Sequence, residues 1–149
     1  MVDIIDKDLI EPELDLYSKE DIIKHLAFLM DKKNRLKNVS EYIKSVIDRE
    51  NLTNTYVGYG VGIPHGKTDA VNVPTLAFAK IKNPVIWGEE EDLANLIFMI
   101  AVPEKSSSNE HLKILAALSR KLMDEEFKEK LLVTNSKDNL IKILNEVFE

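Results

Sequence analysis

The run Leu96–Val102, LIFMIAV, is the longest unbroken apolar stretch in the chain, and Pro103 stops it. Side chains on a strand alternate between its two faces, so a strand without a polar residue needs cover on both. A bilayer cannot be that cover, because a membrane span takes ~20 apolar residues. The cover has to come from the chain itself, and the spacing of the other apolar residues says where it lies.

Ser18 reads as a helix N-cap, with Glu20 and Asp21 in the first turn. Ile22, Ile23, Leu26, Leu29 and Met30 follow at helical spacing. The basic stretch Lys32, Lys33, Arg35, Lys37 falls at or after the end of that helix and reads as a solvated turn. A second helix starts near Ser40, buries Tyr42, Ile43, Val46 and Ile47, and ends near Glu50. Toward the C-terminus, Ser106–Ser108 form a loop whose end caps a helix with Leu112, Ile114, Leu115, Leu118 and Leu122 on its apolar face. Glu125–Val133 and Ser136–Phe148 read as two more helices, the last capped by Ser136. Between these helical ends lie extended pieces. They are Leu9-Ile10 and Leu14-Asp15-Leu16 around Pro12, and a strand Leu76–Ile81 between Pro74 and an Asn83-Pro84 turn. Helices at both ends with apolar strands between them predict an α/β fold with a sheet covered on both faces. At 149 residues, with no linker, repeat or low-complexity segment, the chain reads as one domain over 1–149.

The composition narrows the function. A net charge of −6 argues against a nucleic-acid partner. Without cysteine there is no disulfide framework, thiolate nucleophile or Cys-ligated metal. The acidic start MVDIIDKDLIEPELD lacks the basic end and apolar run of a signal peptide. A soluble, cytoplasmic protein with no direct membrane insertion is expected.

Residues 58–69, GYGVGIPHGKTD, invite a nucleotide-loop reading and do not support it. A phosphate-binding Gly-x-x-x-x-Gly-Lys-Ser/Thr loop ending in Gly66-Lys67-Thr68 needs glycine where Val61 stands. Gly-x-Gly-x-x-Gly fails too: from Gly60 its third glycine falls on His65, and from Gly58 on Ile63. Pro64 also removes a backbone N–H that a phosphate cradle would use. Gly58, Gly60 and Gly62 alternate, which on a strand puts a bare face against a close neighbour. Pro64 then ends that strand and presents His65, with Gly66 clearing space beyond it.

Imidazole is largely neutral and nucleophilic near pH 7 and can carry a phosphoryl group covalently. Such a site needs donors for the phosphoryl oxygens, and the planar fork of arginine suits them. Arg49 stands at the end of the second helix, where it can equally be a cation compensating the helix dipole. His111 falls in the first turn of the Ser108-capped helix, where the dipole favours the neutral ring. His25 lies between Ile22 and Leu29 and reads as a boundary residue with a satisfied hydrogen bond. The three histidines lack metal-ligand spacing, so no metal and no cofactor is expected.

Arg49-Glu50, GYGVGIPHG and NEHLKILAALSRKLM together resemble the enzyme IIA component of the fructose/mannitol class (type 2) of the bacterial sugar phosphotransferase system. The likeness takes in the Leu9-Ile10 opening, LIFMIAVPE and NSKDNLIKIL, and so nearly the whole chain. The histidine motif runs from Glu50 through Val57-Gly58 to Pro64-His65-Gly66, with Gly62 where the family usually has alanine. The resemblance implies a mixed β-sheet sandwiched between helical layers, a three-layer α/β/α domain. It implies a phosphotransferase in which His65 carries the phosphoryl group, supported by His111 and Arg49. The donor would be the phosphocarrier HPr and the acceptor a cysteine of the enzyme IIB component, part of a membrane-associated permease. The fructose-type branch fits LKILAALSRKLM better than the mannitol type. The alternative is a nitrogen-related regulatory IIA protein that acts by phosphorylation-dependent protein binding.

Overall fold

A computed structural model describes residues 3–105 and 110–148. After a short 3-10 turn over Lys7–Leu9, the chain forms strand β1 (Ile10–Leu14) and helices α1 (Lys19–Lys32) and α2 (Val39–Leu52). Strands β2 (Tyr56–Gly58), β3 (Val61–Gly62), β4 (His65–Thr68), β5 (Thr75–Ile86) and β6 (Leu93–Pro103) follow. Helices α3 (Glu110–Leu122), α4 (Glu125–Val133) and α5 (Lys137–Asn145) close the fold. The six strands make one mixed sheet in the order β1-β5-β6-β3-β2, with β4 also paired to β6. β1 lies parallel to β5, β5 and β6 are antiparallel, and β3 and β4 run parallel to β6 one after the other.

The double-faced strand is where its sequence demands. Ile97, Met99 and Ala101 of β6 join Ala77, Ala79 and Ile81 of β5 in a core cluster with α1 and α2. Leu96, Phe98, Ile100 and Val102 join Leu76 and Phe78 in a second cluster with α3, α4 and α5. Phe78 and Phe98 face each other across the strands, their ring centroids 5.1 Å apart, an orientation that adds to burial. The helices begin where side-chain oxygens can accept free first-turn N–H groups. Ser18 accepts from Asp21 and Ser136 from Asn139. Asn38 accepts from Glu41, which starts α2 one residue before Ser40. Each such cap stabilises by ~1 kcal/mol. The cap assigned to Ser108 lies outside the described residues.

Three expectations are corrected. The Asn83-Pro84 pair does not end its strand: β5 continues to Ile86. Its register on β6 shifts between Lys80 and Val85, and that irregularity accommodates the missing proline N–H. α2 runs on to Leu52, beyond Glu50. The basic stretch after α1 is not uniformly solvated. Arg35 is 3% exposed, and its guanidinium donates to the Asp3 carbonyl, Thr75 Oγ1 and Asp6 Oδ2. It stitches the N-terminal segment to the start of β5. Charge pattern alone misses this because nothing local shows that an acidic segment far off in sequence returns to meet it.

Candidate active site

β2 and β3 form a tight hairpin whose turn is left-handed at three successive residues: Gly58 (φ 96°), Tyr59 (φ 52°) and Gly60 (φ 82°). The glycines therefore do not share a bare strand face, which corrects the alternation reading. Gly58 is there for its dihedral, since a Cβ on it would meet open space. Gly62 is there for clearance: a Cβ would come within 2.8 Å of the Trp87 indole. Tyr59, at the tip, is 86% exposed, and the Lys128 ammonium lies 4.5 Å from its ring centroid.

Ile63 and Pro64 interrupt the strand, and His65 opens β4 opposite Ile100 of β6. The candidate histidine thus begins a strand rather than sitting in a loop. A Cβ on Gly66 would come within 3.1–3.2 Å of Ser45, Tyr42 and Val46. Gly66 accordingly faces α2, and alternation turns His65 to the opposite face, the one covered by α3. Tyr42 supports the arrangement from below, its hydroxyl donating to the Ile100 carbonyl at 2.8 Å.

The imidazole Nδ1 lies 2.9 Å from the Ile63 carbonyl oxygen. A carbonyl can only accept, so Nδ1 carries the hydrogen and Nε2 of the neutral ring keeps its lone pair. His65 titrates below the usual histidine range. Burial is the main cause. The Ile63 contact opposes it by favouring the charged ring, the nearby Arg49 lowers the value further and Glu50 raises it. The result is a neutral imidazole near pH 7, held in place through Nδ1.

Arg49 and Glu50 close α2 beside it. Arg49 Nη1 donates to the Thr53 carbonyl at 2.7 Å, which is what a helix-end cation does, while its charge still reaches His65. Glu50 is buried. It accepts from Lys19 Nζ at 3.0 Å and from the Thr55 N–H at 3.1 Å, and the Thr55 hydroxyl donates to its other oxygen. Trp87 Nε1 donates to Thr55 Oγ1 at 3.1 Å. His111 falls in the first turn of α3, and α3 packs on β6. Arg49 and His65 are thus brought together, and His111 is carried by the helical layer toward which His65 turns. His25 sits apart, its Nε2 3.2 Å from Glu11 Oε1, the satisfied boundary role expected of it. Thr55, Trp87 and Lys19 were not legible as neighbours of the histidine. The lone tryptophan was the one signal available, and nothing in its local sequence points to residue 62 or 55.

Near the hairpin, Val57, Tyr59, Leu122 and Met123 line a groove of about 420 Å³. Val57, Tyr59 and Met123 are exposed apolar residues, an arrangement suited to a protein surface more than to a buried small molecule.

Residues 3–147 match the family described as "Phosphoenolpyruvate-dependent sugar phosphotransferase system, EIIA 2". The chain is 41% identical over 133 residues to the "PTS system fructose-specific EIIA component" of Haloferax volcanii, covering 89% of this chain and 86% of that one. It is 33% identical to the "PTS system fructose-specific EIIABC component" of Bacillus subtilis, covering 98% of this chain but only 23% of that longer protein. Among solved structures, the nitrogen regulatory protein IIA-Ntr of Neisseria meningitidis superimposes with a TM-score of 0.85 at 27% identity, covering 95% of this chain and 96% of that one. Enzyme IIA-Mtl, in a complex with phosphorylated enzyme IIB-Mtl from Escherichia coli, superimposes with a TM-score of 0.83 at 29% identity, covering 95% and 97%.

Proposed function

The chain belongs to the EIIA type 2 family of the phosphoenolpyruvate-dependent sugar phosphotransferase system, and from that premise we propose that His65 is its phosphoryl acceptor. Members of this family are phosphotransferases with a phosphohistidine intermediate, and they work with EIIB components. The lone pair of His65 Nε2 attacks phosphorus, a P–N bond forms, and the bond from phosphorus to the donor breaks. In the second transfer a thiolate of the IIB component takes the phosphoryl group and the P–N bond breaks. The donor in this reading is phospho-HPr. Arg49 swings from the Thr53 carbonyl to the phosphoryl oxygens, where its fork offsets the charge that a buried site would otherwise resist. His111, carried on the facing helix, supplies a further hydrogen-bond donor.

The observation that carries this reading is the Nδ1 contact with the Ile63 carbonyl. It fixes the ring and leaves Nε2 free to react. The carrier works in the cytoplasm on a single domain over 1–149, and among the described residues no helix is long and apolar enough to cross a membrane. Fructose is the favoured sugar, by the likeness to the fructose-specific component at 41% identity. The close superposition on nitrogen regulatory protein IIA-Ntr supports a second reading, in which phosphorylation of the same histidine controls binding to other proteins.

The test is intact-mass analysis after incubation with phosphoenolpyruvate, enzyme I and HPr. Wild type should gain one phosphoryl group and His65→Ala none. A His65→Ala protein that still gains it would place the acceptor elsewhere. Subsequent loss of the group to a IIB component separates the transport carrier from the regulatory protein.

A further inference from the structure

Thr55 uses every polar atom it has, and one of its bonds leads on to the histidine. Its hydroxyl donates to Glu50 Oε1 and accepts from Trp87 Nε1 at 3.1 Å. Its N–H donates to Glu50 Oε2 at 3.1 Å. Its carbonyl accepts from the Ile63 N–H at 3.1 Å, and the Ile63 carbonyl is the partner of His65 Nδ1 at 2.9 Å. Thr55 is 5% exposed and Glu50 7%, so a broken bond here would leave a polar group with no water to replace its partner. Glu50 is itself held by Lys19, whose ammonium also lies 5.3 Å from the Trp87 ring centroid. Trp87 is anchored in turn: its indole fills the space beside Gly62 that a Cβ would occupy.

Resting on the acceptor role proposed for His65, we infer that Thr55 is a positioning residue: clamped between Glu50 and Trp87, it holds the Ile63 carbonyl against Nδ1 and so keeps the reactive lone pair on Nε2. Thr55 touches no reacting atom. It acts on the ring through the backbone of one residue, because Ile63 is bonded to Thr55 through its N–H and to the histidine two residues on through its carbonyl. The inference also accounts for glycine at position 62. A methyl group there would push on the indole whose N–H completes the clamp.

The experiment uses the full chain with ¹⁵N-labelled histidine. Ring nitrogen shifts, recorded well above the pH at which His65 titrates, report which nitrogen carries the hydrogen. The rate of phosphoryl acceptance is measured over a range of phospho-HPr concentrations. Wild type should show hydrogen on Nδ1. Thr55→Val, similar in shape but without the hydroxyl, should mix the two tautomers and slow acceptance about tenfold with KM unchanged. Thr55→Ser should restore both. A folded Thr55→Val protein with the wild-type tautomer and rate would overturn the proposal. Should Thr55→Val fail to fold, Glu50→Gln is the substitute: the two Thr55 bonds go to different carboxylate oxygens, and the amide nitrogen that replaces one of them cannot accept, so the same mixing and slowing are expected. An unchanged tautomer in that variant overturns the proposal equally. The ring shifts need no phosphoryl donor. A wild type that takes up no phosphate, while Thr55→Val moves the tautomer, would therefore sink the acceptor role and leave the positioning contact standing.

Discussion

Arg35 and Arg49 each follow or close a helix in the first third of the chain, and their environments could hardly differ more. Arg35 is buried and held at three points, by a carbonyl, a hydroxyl and a carboxylate around its guanidinium. Arg49 has one hydrogen bond among the described residues, to the carbonyl of Thr53 at an exposed helix end. A buried guanidinium with three partners fixes a structure, because moving it strands those partners away from water. One resting on a single carbonyl can leave at little cost and meet an anion elsewhere. The contrast teaches that the charge alone says little about role. The number of partners a cation would have to abandon says more.

The largest effect expected is that of His65→Ala, complete loss of phosphoryl uptake in the mass assay, with stability changed by no more than about 1 kcal/mol. Next comes the pair itself. Arg49→Ala should slow transfer about 100-fold while leaving the denaturation midpoint near wild type. Arg35→Ala should lose ~3 kcal/mol in urea unfolding, yet transfer normally per folded molecule. If the two arginines exchanged these phenotypes, or both lost stability, the distinction between firmly held and available cations would fail. Gly62→Ala should cost about 1–2 kcal/mol, because a methyl carbon must displace the Trp87 ring. A tryptophan fluorescence spectrum identical to wild type would count against that contact.

The smallest effect is pH-dependent. The folded state holds the His65 titration below the unfolded value of ~6.5. Over that interval the unfolded chain binds more protons, so His65 contributes stability that is present above the unfolded value and is lost as pH falls toward the folded one. Wild type should lose more stability on acidification through that window than His65→Gln. Its acceptor activity should persist to lower pH than an exposed histidine would allow. Equal acid sensitivity in both proteins would remove burial as the cause of the shift.

Much of this architecture could be read from local pattern. The two-faced run at Leu96–Val102 led to the central strand, and Ser18 and Ser136 were legible as caps because a cap bonds within three residues. His65 stood out through Pro64 and Gly66, and the family motif linked it to Arg49 and His111. What escaped the sequence is what depends on tertiary meetings. The φ values of Gly58, Tyr59 and Gly60 turn an alternating strand into a hairpin tip. Arg35 is buried only because the N-terminal segment comes back to it. Thr55 and Trp87 become neighbours through the sheet, across a separation that no local spacing records. Pro84 stays inside a strand because the register irregularity tolerates it.

The parallel pairing of β1 with β5 has a kinetic consequence. Ile10 must find Phe78, and the whole helical pair α1–α2 is made before that partner exists. Antiparallel β5 and β6 can zip from their own connection, so they are the natural nucleus, and β1 joins late. A strand that waits is a hazard, since its open edge can pair with another chain. The sequence of β1, Ile-Glu-Pro-Glu-Leu, answers the hazard. Proline removes a donor and the two glutamates repel a second copy, so the segment is a poor template for self-association until its own sheet is ready. The same composition leaves β1 a weak edge afterwards, and Arg35 is what makes up the difference by tying the segment that precedes it to the start of β5.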